Sequence, residues 1–132
     1  MITIYGLYDR REPGLIRYIG QTRDLVLVRI ARHIDADPLK HAPVRLWLRS
    51  LPDLPGWVVL GRAATQPEAN DLERHMIGGF ARLGFPLINQ ALMPLCVDCG
   101  GERPIGKTNG RYCVPCRSRR SAALYAARKV AA

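Results

Sequence analysis

The spacing of hydrophobic and polar positions changes several times along the chain, and the first stretch predicts a β-hairpin. Ile2 to Tyr8 alternates β-branched, aromatic and small residues, which is typical of a strand. The charged stretch from Asp9 to Gly14 contains the turn signal Pro13-Gly14. Leu15 to Gly20 is again apolar and aromatic, so it predicts the return strand of the hairpin.

Helical spacing follows the hairpin. Asp24 can cap a helix over about residues 25–34. Val44 to Leu51 predicts a second, short helix, which Pro52 and Pro55 would end. The two predicted helices therefore follow one another without an intervening strand.

The next elements are a strand and a longer helix. Trp57 to Leu60 is a continuous apolar run of strand length. Thr65 to Phe80 predicts a helix that opens with a capping box, in which Thr65 and Glu68 satisfy each other's backbone donors. The order β-β-α-α-β-α predicts an α/β sandwich with a three-stranded, mostly antiparallel sheet flanked by helices.

Charge divides the 132 residues into two predicted domains. Residues 1–92 carry 12 basic and 9 acidic side chains, whereas residues 93–132 carry 8 basic and 2 acidic ones. Met93-Pro94-Leu95 is the predicted linker. The formal net charge of +9 favours a polyanionic partner, nucleic acid first. We find no membrane-spanning apolar run and no signal peptide, so we expect no membrane association and a cytoplasmic location.

The hairpin contains candidate site residues. Gly6 and Tyr8 alternate onto one strand face, as do Tyr18 and Gly20 on theirs, so two tyrosines are expected to meet beside space cleared by glycines. The alternative is that both tyrosines are present because tyrosine favours strands.

A basic pair lies on the first predicted helix. Arg29 and His33 are four residues apart and stack on one face, away from the centre of the apolar stripe. A guanidinium beside an imidazole suits a phosphate, although a solvated basic face is the alternative. The predicted apolar stripe consists of Leu27, Ile30, Ala31 and Ile34.

Glu73 falls inside the apolar arc of the later helix. Glu68 is explained by the capping box, whereas Glu73 has no local explanation. A carboxylate facing a core is unfavourable unless it is paired or binds a cation. A pair with Arg29 or with another basic side chain is therefore the alternative to a metal site.

These residues together resemble the GIY-YIG nuclease family over about residues 2–92. The chain departs from the family pattern in two ways. Leu7 stands where the first motif of the family has isoleucine, and the interval between Arg29 and Glu73 is short. In order, the motifs are Gly6-Leu7-Tyr8, Tyr18-Ile19-Gly20, Gln21-Thr22, Arg29, His33, Glu73 and Asn89.

The resemblance implies that the chain cuts phosphodiester bonds with one divalent metal ion, Mg²⁺ or Mn²⁺. Glu73 would be the metal ligand, and Arg29 would hold the scissile phosphate. Tyr8 would be the general base or would position water, with Tyr18 and His33 completing the cluster. A tyrosine of ordinary pKa is a poor base at pH 7, so this role needs a nearby cation.

Asn89 would be a supporting hydrogen-bonding residue, and Arg32 an additional nucleic-acid contact. The role of Asn89 depends on the same resemblance. The short interval between Arg29 and Glu73 leaves little room for inserted recognition loops.

Two CxxC pairs in the second part predict a structural zinc site. The interval of 13 residues lets each pair place two thiolates on one metal ion, and Gly100-Gly101 and Gly110 would reverse the chain. A disulfide framework or a redox pair is the alternative. The module also resembles zinc knuckles appended to phage-type endonucleases, consistent with a bacterial or phage-like context. The predicted ligands are Cys96, Cys99, Cys113 and Cys116.

A basic helix is expected after the last cysteine. It suits phosphate contacts, with a solvated tail as the alternative. Four thiolates and Zn²⁺ together carry −2, so the effective charge of the module is about +4. Its predicted nucleic-acid contacts are Arg117, Arg119, Arg120, Arg128 and Lys129.

The sequence therefore predicts a metal-dependent DNA endonuclease with a zinc-binding, DNA-contacting module. The alternatives are a non-catalytic zinc-finger DNA-binding protein on a degenerate nuclease fold and, less favoured, a thiol redox protein. The choice between a nicking monomer and a homodimer on DNA stays open, as does the DNA site or structure that is recognised.

Overall fold

The computed structural model describes residues 1–35, 42–89, 95–96, 98–102 and 112–131. The chain divides into two compact units, Met1–Asn89 and Gln90–Ala132. The predicted boundary between residues 92 and 93, with Met93 and Pro94 of the predicted linker, lies outside the described residues.

The first unit contains a three-stranded sheet in which the first strand is central. The strands are β1 (Ile2–Tyr8), β2 (Ile16–Thr22) and β3 (Gly56–Ala63). Their order is β2-β1-β3, and β1 pairs antiparallel with both neighbours. The predicted hairpin and third strand are confirmed. The third strand is longer than the apolar run from Trp57 to Leu60, because β1 pairs with it from end to end.

The described residues of the first unit form three helices, α1 (Val26–Asp35), α2 (Ala42–Ser50) and α3 (Gln66–Arg82). Helix α3 packs on all three strands, and α1 packs on α2. The α/β class with a three-stranded antiparallel sheet is thereby confirmed.

The start of α3 was predicted correctly and the start of α1 was not. Thr65 caps α3: its side chain accepts from the backbone N–H of Glu68, and Glu68 accepts from the backbone N–H of Thr65. Leu25, not Asp24, precedes α1, and its carbonyl accepts from the N–H groups of Val28 and Arg29. Asp24 instead pairs with an arginine, as described below.

The buried face of α1 also differs from the predicted stripe. Val26, Ile30 and His33 are buried, whereas Leu27 and Ala31 are exposed. Positions 26, 30 and 33 follow the i, i+4, i+7 spacing of one helix face, so His33 belongs to the buried face. One core cluster that includes this face contains Tyr5, Leu7, Val26, Ile30, Val44 and Leu48.

The second unit contains a short turn and the helix α4 (Val114–Ala131). Leu95 and Glu102 form an isolated antiparallel bridge around the turn, and Gly100 has a φ of 70°. This positive φ favours glycine, as the predicted chain reversal requires. Gly110, the other predicted reversal, lies outside the described residues. Among the helices described in the two units, none is long and apolar enough to cross a membrane.

Candidate functional site

Two tyrosine rings lie together on one face of the hairpin. The register pairs Tyr5 with Gly20 and Leu7 with Tyr18, and residues paired across two strands share a face. The ring centroids of Tyr5 and Tyr18 are 6.4 Å apart. A Cβ atom at Gly20 would lie 2.8 Å from the Tyr5 hydroxyl oxygen and 2.8 Å from a Tyr18 ring carbon. Gly20 therefore makes room for both rings.

Tyr8 is not part of this cluster, so its predicted meeting with Tyr18 is wrong. Successive residues of a strand point to opposite faces, and Leu7 is the residue that pairs with Tyr18. The Tyr8 ring lies against Gly56, where a Cβ atom would be 2.2 Å from it. At Gly6 a Cβ atom would meet the Ile16 side chain at 3.0 Å, so this glycine accommodates core packing and not a ligand.

His33 of α1 joins the two tyrosines. Its Nε2 lies 3.4 Å from the Tyr5 hydroxyl oxygen, and its ring contacts Tyr18 edge-on at a centroid distance of 5.5 Å. The His33 side chain is 1% exposed. The solvated basic face that the sequence left open is therefore excluded for His33.

Arg29 lies one turn before His33 and is half-buried. Its Nε is buried and has no hydrogen-bond partner among the described residues. A hydrogen bond and the positive charge of Arg29 act to lower the pKa of Tyr5. A buried donor without a hydrogen-bond partner is energetically costly, and an anion at Arg29 Nε would satisfy it.

Glu73 is half-buried on α3, and it forms no ion pair with any of the described residues. Its Oε2 accepts a hydrogen bond of 2.9 Å from Gln21 Nε2. Burial raises the pKa of Glu73, while the Gln21 hydrogen bond and the charge of Arg29 act in the opposite direction. A direct pair with Arg29, the alternative left by the sequence, is not present.

The two tyrosine hydroxyls remain protonated at neutral pH. Burial, followed by the charge of Glu73, raises the pKa of Tyr18 to about 12. Burial is also the largest cause of the raised pKa of Tyr5, and the neighbouring Tyr18 adds to it. The tyrosines, Arg29 and Glu73 are therefore close enough to influence one another's charge.

Asn89 supports the hairpin from outside. Its Oδ1 accepts a 3.0 Å hydrogen bond from the backbone N–H of Ile19, and its Nδ2 donates one of 2.7 Å to the carbonyl of the same residue. Ile19 lies between Tyr18 and Gly20, so Asn89 holds the strand that carries them.

Arg32 lies on the exposed side of α1. It forms an ion pair with Asp24, and both side chains are about half exposed.

The four cysteines of the second unit come together as predicted. Their sulfur atoms all lie within 4.8 Å of one another, and Cys99 Sγ is 3.8 Å from Cys113 Sγ. This distance is far longer than a disulfide bond, and all four cysteines are free. The cluster can hold a zinc ion, for which four thiolates are a common structural ligand set.

The predicted basic residues of α4 divide into two groups. Arg119 donates a 3.0 Å hydrogen bond to Cys116 Sγ, and Arg120 donates two hydrogen bonds to Asp98. The Arg120 guanidinium also lies 4.2 Å from the centroid of the Tyr112 ring. All five predicted residues are exposed, but Arg119 and Arg120 are held by contacts within the unit. The other three are Arg117, Arg128 and Lys129.

Sequence reasoning missed Tyr5 and assigned no role to Gln21. The signal for Tyr5 was the strand alternation itself, since Tyr5 and Leu7 belong to the face that Tyr18 shares. Gln21 could not be found this way, because its contact with Glu73 joins residues 52 positions apart.

Comparison of the chain with protein-family models, with curated protein sequences and with solved structures found no match.

Proposed function

We propose that the first unit hydrolyses phosphodiester bonds of DNA with Mg²⁺ or Mn²⁺, as an endonuclease similar to the GIY-YIG family. The observation that carries this proposal is the convergence of one carboxylate and one guanidinium on a pair of tyrosines. Among the described residues neither Glu73 nor Arg29 forms an ion pair, and both are partly buried. Partly buried charges without an opposite charge beside them are typical of a site that binds a cation and an anion.

Glu73 is the proposed metal ligand. Mg²⁺ is commonly bound through one or two carboxylates together with water and substrate phosphate oxygens. Gln21 occupies Oε2 of Glu73 and orients the carboxylate. A bound metal ion would polarise the phosphate and compensate the buried negative charge.

Arg29 is the proposed phosphate ligand. A guanidinium can donate two parallel hydrogen bonds to a phosphate, and its buried Nε is free to take part. Charge that develops on the phosphate in the transition state would be stabilised there without reorganisation of the site.

Tyr5 replaces Tyr8 in the proposed mechanism. The tripeptide Thr3-Ile4-Tyr5 keeps the Ile-Tyr pair of the family motif, which Gly6-Leu7-Tyr8 does not. The raised pKa of Tyr5 disfavours a standing tyrosinate. We therefore assign a relay, in which Tyr5 takes a proton from water and passes its own to His33 Nε2. The resulting hydroxide forms one P–O bond while the bond to the leaving sugar oxygen breaks. That oxygen takes up a proton from solvent, and His33 releases its extra proton to solvent, which restores the site.

The second unit is proposed to bind zinc and to contact DNA through the exposed part of α4. The exposed basic residues Arg117, Arg128 and Lys129 would contact phosphates without reading sequence. The module would therefore add affinity, while the first unit performs the chemistry.

The test is incubation of the full chain with supercoiled plasmid and Mg²⁺ or Mn²⁺, followed by sequencing of the ends. Metal-dependent nicking that Glu73→Gln abolishes and Tyr8→Phe leaves unchanged supports the proposal. DNA binding without cleavage under either metal would contradict it and favour the non-catalytic zinc-finger alternative.

A further inference from the structure

A basic cavity lies beside the proposed reaction site, and no role has yet been given to Arg23 and Gln66 in its wall. Its volume is about 350 Å³. It lies between the end of β2 and α1, and Arg29 is part of its wall. The lining residues used below are Gln21, Arg23, Asp24, Arg29, Arg32 and Gln66.

The charges of the cavity favour an anion. Arg23, Arg29 and Arg32 contribute three positive charges, and Asp24 contributes one negative charge. Asp24 pairs with Arg32, so it holds this guanidinium at the cavity wall. Arg29 adds the buried Nε that has no hydrogen-bond partner among the described residues.

A network of side-chain amides connects the cavity with the proposed metal ligand. Arg23 Nη2 donates to Gln66 Oε1 at 3.3 Å, and Gln66 Nε2 donates to Gln21 Oε1 at 2.6 Å. Gln21 in turn donates to Glu73. Cavity and reaction site thus share both Arg29 and Gln21, so one continuous ligand can occupy both.

We propose that this cavity binds the phosphate next to the scissile one, so that the enzyme requires at least two consecutive phosphodiesters. This inference rests on the proposed function. Neighbouring phosphates along a DNA strand carry one negative charge each. Arg29 lies where the cavity meets the reaction site, so two neighbouring phosphates of one strand can occupy the two places. Arg23 is the specificity-determining residue, because it belongs to the cavity and not to the reaction cluster. The enzyme would consequently discriminate against dinucleotides and terminal phosphates.

The cleavage position in a duplex is first mapped with the wild-type protein. A series of duplexes is then made in which one linkage beside that position carries a neutral methylphosphonate. The wild type and Arg23→Gln are compared on each duplex. Arg23→Gln should lower kcat/KM about tenfold on the all-phosphate duplex, as expected for the loss of one charge-assisted hydrogen bond. On the duplex with a methylphosphonate at one particular neighbouring linkage, the same variant should change kcat/KM less than about twofold. Arg10→Gln, an exposed arginine of the hairpin turn, is the matched control and should show no such coupling.

A second measurement does not depend on cleavage. Titration of the full chain with the trinucleotide d(TpTpT) should shift the Nε–H resonances of Arg23 and Arg32 and leave Arg10 unmoved. Two results would overturn the cavity assignment alone, provided that the wild type cleaves DNA. The first is an effect of Arg23→Gln that is equal on all duplexes. The second is the absence of the Arg23 and Arg32 shifts. Shifts of Arg23 and Arg32 without any cleavage support the cavity and contradict the proposed function.

Discussion

The two units of the chain bury different kinds of residue. The first unit buries apolar side chains on both the sheet and the helices, with His33 among them. In the second unit the buried cluster consists of three cysteines with Tyr112 packed against it, while residues 117–130 of α4 are exposed. The first unit therefore has a core that can stabilise it without a ligand. The described residues of the second unit form no comparable apolar core, so we expect a metal ion held by the four cysteines to stabilise it.

Removal of zinc should have the largest effect and should be confined to the second unit. Chelation, or Cys113→Ser, should abolish the ordered signals of α4 in an ¹H–¹⁵N spectrum, because structural zinc contributes about 10–16 kcal/mol to folding in small modules. Signals of the first unit should stay in place. Ser118→Ala on the exposed helix is the control. Persistence of the α4 signals in metal-free protein would contradict the claim that only the second unit depends on zinc for its folding.

Glu73→Gln should have the largest effect within the first unit. Cleavage should fall at least about a thousandfold, since the bound metal ion supplies several kcal/mol of transition-state stabilisation. The matched control is Glu68→Gln, which should keep the cleavage rate and cost about 1 kcal/mol of stability through the cap. Equal cleavage rates for wild type and Glu73→Gln at saturating Mg²⁺ would refute the metal-ligand assignment.

The same variant should change how stability depends on pH. Because the pKa of Glu73 is raised, the folded chain binds more protons than the unfolded chain at pH values just above the ordinary value of 4.5. The stability of the wild type therefore falls as the pH rises from 4.5 through the raised pKa, and Glu73→Gln should not show this loss. Denaturant unfolding of metal-free protein between pH 4 and 8 measures the difference.

A smaller effect is expected from removing single hydroxyl groups. Tyr5→Phe should lower kcat at least about a hundredfold, because the proposed proton relay passes through its hydroxyl. Tyr8→Phe keeps the ring against Gly56 and should change kcat less than about twofold. A larger loss of the single-turnover rate for Tyr8→Phe than for Tyr5→Phe would show that Tyr8 belongs to the reaction site and would exclude the relay.

The smallest effect is expected from single arginines of α4. It should differ between Arg117 and Arg119, which is bonded to Cys116. Arg117→Gln should lower the slope of log Kd against log salt by about one unit, as expected for one lost phosphate contact. Arg119→Gln should leave the slope unchanged and weaken zinc retention instead, because its guanidinium bonds Cys116 Sγ. Competition with a zinc-sensing dye, read beside the salt titration, separates the two. Equal changes in the salt slope for Arg117→Gln and Arg119→Gln would contradict the different roles given to these two arginines.

The elements of the first unit could be predicted because their signals are local. The alternation from Ile2 to Tyr8 and the capping box at Thr65 depend on neighbours in sequence, and both were predicted correctly. The paired CxxC spacing likewise brought four sulfur atoms together. Composition also predicted a helix after Cys116, although α4 begins two residues before this cysteine, at Val114.

The site residues were harder to predict because faces are set by tertiary pairing. Tyr5 and Tyr8 are equally good strand residues, and only the pairing of Leu7 with Tyr18 decides which tyrosine enters the cluster. The inward orientation of His33 depends on the sheet against which α1 packs. The contact of Gln21 with Glu73 joins β2 to α3 and leaves no local trace.

Asn89 also protects an edge of the sheet. Strand β2 lies at that edge, where unpaired backbone groups would invite a strand of another molecule. The Asn89 amide covers both backbone groups of Ile19, and the N–H of Ile88 bonds the carbonyl of Arg17. Asn89→Asp would replace a donor by a repelling oxygen. The carbonyl of Ile19 would then lose its partner, so we expect this variant to weaken the cover on the edge of β2.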